Sequence, residues 1–193
     1  NVFLDGKFAF ALSKKVAERS GIQPGMELSE GMIEALMQEQ AQQECFDKAL
    51  SYLSRRMHSR SELRQKLLKA QFAVGVIEKA LARLEDLNYI NDSEFARQKL
   101  MHAQRKLIGQ RRAMADLMRA DVQGDVARDA VEEHFSSEEA RDNARKLIDK
   151  NLPRLERLDP TTAKRRLIGL LQRRGFDYET IAPLIQKVFS PED

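Results

Sequence analysis

Tryptophan is absent from this chain of 193 residues, cysteine occurs once (Cys45), proline 5 times and glycine 9 times, and aromatic residues make up only 6%. A lone cysteine cannot close an intramolecular disulfide, so a disulfide-stapled scaffold is excluded. Few aromatics, glycines and prolines, beside 33% charged residues, disfavour a β architecture and favour helices. The sequence lacks a long apolar run and a charged-then-apolar leader, so the expected compartment is the cytoplasm, with no membrane attachment.

Catalytic patterns are equally scarce. His58, His102 and His134 lie about 44 and 32 residues apart, with no paired His or Cys at zinc-ligand spacing. There is no Gly-rich phosphate loop and no Gly-x-Ser-x-Gly, and Cys45 has no basic neighbour in sequence to lower its pKa. The carboxylate pairs Glu85-Asp86, Glu132-Glu133 and Glu138-Glu139 sit among lysines and arginines, where i,i+4 pairing and solvation account for them. Met32, Met37, Met101, Met114 and Met118 read as core filler. The expectation is a protein that is not an enzyme and needs neither metal nor cofactor.

The net charge of +3 hides an uneven distribution. Residues 45–112 carry about 15 basic and about 7 acidic residues, whereas residues 113–161 carry about 8 and about 12. The first segment is therefore basic and the second acidic.

At the start, Val2-Phe3-Leu4 and Phe8-Ala9-Phe10 flank Asp5-Gly6, a pair suited to the positive φ angles of a type I′ hairpin turn. Ser13 can cap a short helix through Arg19 that Gly21 ends, Gln23-Pro24-Gly25 forms a turn, and Ser29 can cap a helix with its apolar stripe at Met32, Ile33, Leu36 and Met37. That pattern continues through Gln38–Gln43 toward the next helix.

From Cys45 onward the helical pattern repeats. A shift of about 50 residues places Leu67 on Leu117, Phe72 on Val122 and Ala80 on Ala130; a further shift of about 54 places Leu117 on Leu171, Val122 on Phe176 and Val131 on Ile185. Three units of three helices follow, preceded by the hairpin and short helices: 1–43, 44–92, 93–137 and 138–193. Ser59 or Ser61 starts the second helix of the first unit, a break falls at Gln71–Gly75, and the third helix runs Val76–Leu87. Asp92 is the expected cap of the second unit, Asp159-Pro160-Thr161-Thr162 separates two helices of the third, and Arg174–Asp177 forms its break. The fold class is all-α, an elongated, curved array of three-helix repeats that exposes a long surface and favours binding over catalysis.

Basic residues recur at the helix connections. Arg55, Arg56, Arg60, Arg64 and Lys69 surround that of the first unit; Arg105, Lys106, Arg111 and Arg112 surround that of the second; Lys164, Arg165, Arg166, Arg173 and Arg174 serve the third. Together they form a candidate rim for phosphate or an acidic protein surface, since sparse aromatics disfavour stacking on bare bases.

The stretch Ala49–Ala96 closely resembles the RecX family, through Ala49-Leu50-x-Tyr52-Leu53-x-Arg55-Arg56, Ser59-x-Ser61-Glu62-Leu63-x-x-Lys66-Leu67, Ile77–Leu84 and Tyr89-Ile90-Asn91-Asp92-x-x-Phe95-Ala96. The likeness continues more weakly through Gly109–Leu117 and Arg165–Ile185. It implies a curved chain of three-helix repeats without catalytic residues. It also implies binding in the groove of the RecA filament on single-stranded DNA, as a monomer, with restraint of recombinase and ATPase activity and weak direct DNA binding. Family members often carry glycine at the end of the second helix, kept here as Gly175 but replaced by Gln71 and Asp121, so those two turns are expected to be built differently. A module acting directly on DNA through base-reading residues, and a helical adaptor that never meets nucleic acid, are the alternatives.

Overall fold

Two short strands, β1 (Val2–Leu4) and β2 (Lys7–Phe10), pair antiparallel across Asp5 and Gly6, whose φ angles of 49° and 78° are those of a type I′ turn. The computed structural model describes residues 1–190; among these, no strand occurs after Phe10. Phe3 and Phe8 meet edge to face on the open side of the hairpin and remain exposed, so the hairpin does not bury its aromatic face. The amino-terminal segment is tied down instead by α1 (Lys14–Ser20), capped by Ser13 and ended by left-handed Gly21. Val16 of α1 is fully buried, the Ser13 amide donates to Gln40 Oε1 at 2.7 Å, and Arg19 pairs with Glu39 at 2.9 Å. Removing residues 1–28 is expected to lower the melting temperature of the first unit by roughly 10 °C while the three-helix core stays folded, because one buried valine and a few exposed pairs are worth about 2–3 kcal/mol. Calorimetry of the truncated chain checks this.

The chain separates into two compact units that divide between Asn91 and Asp92. In the first, α2 (Glu30–Leu53), capped by Ser29, is one unbroken helix, so the amino-terminal segment and the first three-helix group share it. With α3 (Arg60–Lys69) and α4 (Val74–Asp86) it encloses a core that includes Cys45, Ala49, Leu63, Leu67, Ile77, Leu81 and Leu84. The third helix begins at Val74, two residues before the sequence placed it, with Gly75 inside its first turn. Burial pushes the Cys45 thiol up to about 11, which leaves it protonated and unreactive at neutral pH.

The second unit contains α5 (Asp92–Arg105), α6 (Gln110–Arg119), α7 (Gly124–His134), α8 (Ser137–Leu155), α9 (Pro160–Arg173) and α10 (Tyr178–Phe189). Asp92 is the first residue of α5 rather than the residue before it. Helix α9 starts at Asp159-Pro160 as read, and α8 opens with a capping box of Ser136 and Glu139. Helices α3 and α6 have 10 residues and α9 has 14, so the second sequence shift exceeds the first by one helical turn. Equivalent positions are buried in all three groups: Leu67, Leu117 and Leu171 are each 0% exposed, as are Ile77, Ala127 and Ile181.

The turns lacking the family's glycine are built the same way as the one that keeps it. Gln71 and Asp121 adopt φ of 66° and 52°, beside 93° at Gly175. In each case the next amide reaches back to the same carbonyl, Phe72 to Leu67, Val122 to Leu117 and Phe176 to Leu171, at 3.1–3.3 Å. This is the Schellman closure, and packing of the apolar residue after the turn, buried at Val122 and Phe176 and half-buried at Phe72, accompanies it despite the Cβ strain.

Candidate functional site

In the first unit the candidate arginines are largely engaged. Arg60 and Arg64, one turn apart on α3, both reach Glu78 of α4 at 2.7 Å, and Arg60 also reaches Glu85 at 2.9 Å. These two hydrogen-bonded guanidinium groups hold the Glu78 carboxyl below its ordinary range. Arg56 donates to Glu62 and to the Met57 carbonyl, both at 2.8 Å. Arg55 and Lys69 are exposed. The sequence grouped these five by position, but three of them clip the first group together.

Beside them, His58 is buried, with Nδ1 2.8 Å from Glu62 Oε2. Burial depresses its pKa below 6.5 and outweighs the upward pull of the Glu62 hydrogen bond. The unfolded chain thus binds the proton more tightly. The neutral ring's contribution to stability is present above the ordinary histidine value and is lost as pH falls through it toward the folded value. Denaturant unfolding of the parent should weaken between about pH 7 and pH 5, and His58→Gln should flatten that part of the profile; equal slopes would remove His58 as the cause.

The second unit assembles its cations differently. After α5, Leu107 takes a φ of 52°, uncommon for so bulky a residue, and turns the chain into Gly109, the start of α6. There the chain meets the corner between α9 and α10. The Gly109 amide donates to the Arg174 carbonyl at 2.8 Å and the Arg111 amide to the Gly175 carbonyl at 3.1 Å. Side chains cross in both directions, Arg112 Nη1 to the Arg173 carbonyl at 3.3 Å and Arg174 Nη1 to the Lys106 carbonyl at 2.9 Å. A Cβ on Gly109 would stand 2.5 Å from the Gly175 carbonyl carbon and oxygen, and one on Gly175 would fall on the Arg112 backbone. Glycine at both places is what allows this approach.

This contact brings Arg105, Lys106, Arg111, Arg112, Arg173 and Arg174 to one corner of the second unit. Arg112 pairs weakly with Asp116, which also binds Arg119, and Arg111 helps lower the Asp177 carboxyl. Burial raises Asp177, but the Thr180 amide and hydroxyl outweigh it. Arg105, Lys106 and Arg111 are exposed and form no ion pair among the described residues. Lys164, Arg165 and Arg166 lie exposed along α9, where Arg165 and Arg166 join Arg154 of α8, a residue the sequence reading missed. The short connection between α8 and α9 is the signal that could have placed Arg154 there, since it makes the two helices neighbours. Among the described residues no three His, Cys, Asp or Glu side chains gather as a metal site, and no helix is long and apolar enough to cross a membrane.

The RecX first three-helix domain matches residues 45–84 and the third matches residues 137–185. The regulatory protein RecX of Bacillus velezensis is 30% identical over 195 residues, spanning 100% of this chain and 74% of that protein. The chain belongs to the RecX family. Another RecX relative, from Listeria monocytogenes, is 28% identical over 93% of this chain, which spans 66% of that protein's length. A crystal structure of a regulatory protein RecX shares the fold, with a TM-score of 0.82 over 97% of this chain and 92% of that one at 24% identity. Within this RecX-family chain the match to the third domain covers α8, α9 and the Gly175 corner.

Proposed function

We propose that this chain regulates the RecA recombinase by lying in the groove of its filament on single-stranded DNA, as a monomer in the cytoplasm, without catalysing a reaction. Membership of a family of regulatory proteins supports the role, and the corner at Gly109 and Gly175 supports the mode. That corner is the single observation that carries it. A backbone contact without room for side chains holds cations from two helix pairs at one corner, and Arg105, Lys106 and Arg111 are exposed there, outside any ion pair among the described residues, where they can meet anionic groups. A filament groove offers DNA phosphate and protein carboxylate together, and arginine forks suit both.

Titrating the chain into the cognate RecA during DNA-dependent ATP hydrolysis and strand exchange tests this. Both activities should fall as the chain is added, with saturation at a fixed ratio to filament. Unchanged activities at a large excess of chain would reject the reading. Tight binding to DNA that is indifferent to RecA would favour a module acting on DNA alone.

A further inference from the structure

A groove of about 640 Å³ runs between the carboxy-terminal end of α8 and the outer face of α9. Its walls carry Arg154 from α8 and Arg165, Arg166 and Arg173 from α9, and its floor carries Leu155 and Leu170. No carboxylate lines it. Asn151, also in the lining, donates to the Leu147 carbonyl of its own helix at 2.7 Å. Among the described residues, none of the four arginines forms an ion pair.

The first unit shows what the fold does when arginines bridge two helices structurally: Arg60 and Arg64 of α3 each find Glu78 on α4. Among the residues that line the α8–α9 groove there are four arginines and no carboxylate. Like charges held along one groove repel, and an arriving anion relieves that repulsion. Charge alone would admit phosphate, but the floor is apolar. Leu155 and Leu170 pack on the core of the third group yet keep part of their surface open, and Gly169 adds no side chain between them and Arg173, whose Nη1 would lie 3.2 Å from a Cβ there. No aromatic ring lines the groove, so a nucleic-acid base has nothing to stack on, and a phosphodiester leaves the leucines uncovered. A peptide with an aliphatic or aromatic side chain flanked by carboxylates satisfies both parts: its carboxylates take the arginine forks and its apolar group covers Leu155 and Leu170.

We propose that the α8–α9 groove docks an acidic peptide segment bearing an apolar anchor. The groove shares Arg173 with the corner but is not lined by Arg105, Lys106 or Arg111, and the proposal stands whether or not those three meet a RecA filament.

Fluorescence anisotropy on the full chain at low ionic strength tests it, with a labelled octapeptide Glu-Asp-Leu-Glu-Glu-Phe-Glu-Asp as probe. One control peptide has serine in place of the leucine and phenylalanine, and a second control is an eight-nucleotide oligo-dT. The acidic, apolar peptide should bind about tenfold more tightly than either control. Arg165→Ala with Arg173→Ala should weaken it by about tenfold, Arg154→Ala on the opposite wall by several-fold, and Lys7→Ala in the exposed hairpin of the other unit not at all. Circular dichroism confirms that each variant is folded. Absence of binding at millimolar peptide, or equal binding of the serine control or the oligonucleotide, would overturn the proposal.

Discussion

Gly109→Ala is expected to destabilise the unit that begins at Asp92 by about 3 kcal/mol and to lower its melting temperature by roughly 10 °C. The added methyl would stand 2.5 Å from the Gly175 carbonyl group and 2.6 Å from the Phe176 amide nitrogen. All of these are backbone atoms, so no side-chain rotation can relieve the clash. Parting the two corners also breaks the Gly109–Arg174 and Arg111–Gly175 hydrogen bonds, worth about 1 kcal/mol each. Gly124→Ala is the control: it lies in helix α7, a Cβ there meets nothing within 4 Å, and alanine should be neutral or stabilising by up to about 1 kcal/mol. Thermal melts of the two variants check the contrast. Equal melting temperatures would mean that the corner is not held as described.

The second large effect concerns function. Replacing Arg105, Lys106 and Arg111 together by alanine should leave folding almost unchanged, because all three are exposed and none forms an ion pair among the described residues. Restraint of RecA should nonetheless weaken about tenfold or more. If each side chain meets a phosphate, the slope of log affinity against log salt should shrink by about one unit per residue. The informative comparison is Arg60→Ala with Arg64→Ala. Those side chains are bound to Glu78 and Glu85, so their loss should reduce the stability of the first unit and leave the salt slope unaltered. A triple variant that restrains RecA as strongly as the parent at low and physiological salt would remove the corner from the interface.

The hairpin, the Ser13–Gly21 helix and the three-helix period were readable because each rests on residues near one another in sequence or on a repeated apolar spacing. Leu67, Leu117 and Leu171 mark equivalent core positions by their shift alone. The turns at Gln71 and Asp121 were not readable from residue type, since neither is glycine. Their left-handed geometry goes with packing the next apolar residue, Val122 fully and Phe72 in part, a tertiary demand that overrides local preference. The candidate site was half legible. Cations clustered at connections were visible, but the engagement of Arg60 and Arg64 with Glu78 depends on how α3 lies on α4. The partnership of Arg112 with Arg173, 61 residues apart, and of Arg174 with Lys106, 68 apart, leaves no local trace at all.

That long-range corner also governs how the second unit can come into being. A chain that has formed only α5, α6 and α7 still has the amides of Gly109 and Arg111 without their protein acceptors, because both carbonyls belong to Arg174 and Gly175, just past the end of α9. Closing so wide a loop is entropically costly and slow compared with forming any single helix. The middle group therefore reaches its final shape only after the last group has been synthesised and has returned to it. The core of the first unit, by contrast, is drawn wholly from residues no later than Ile90.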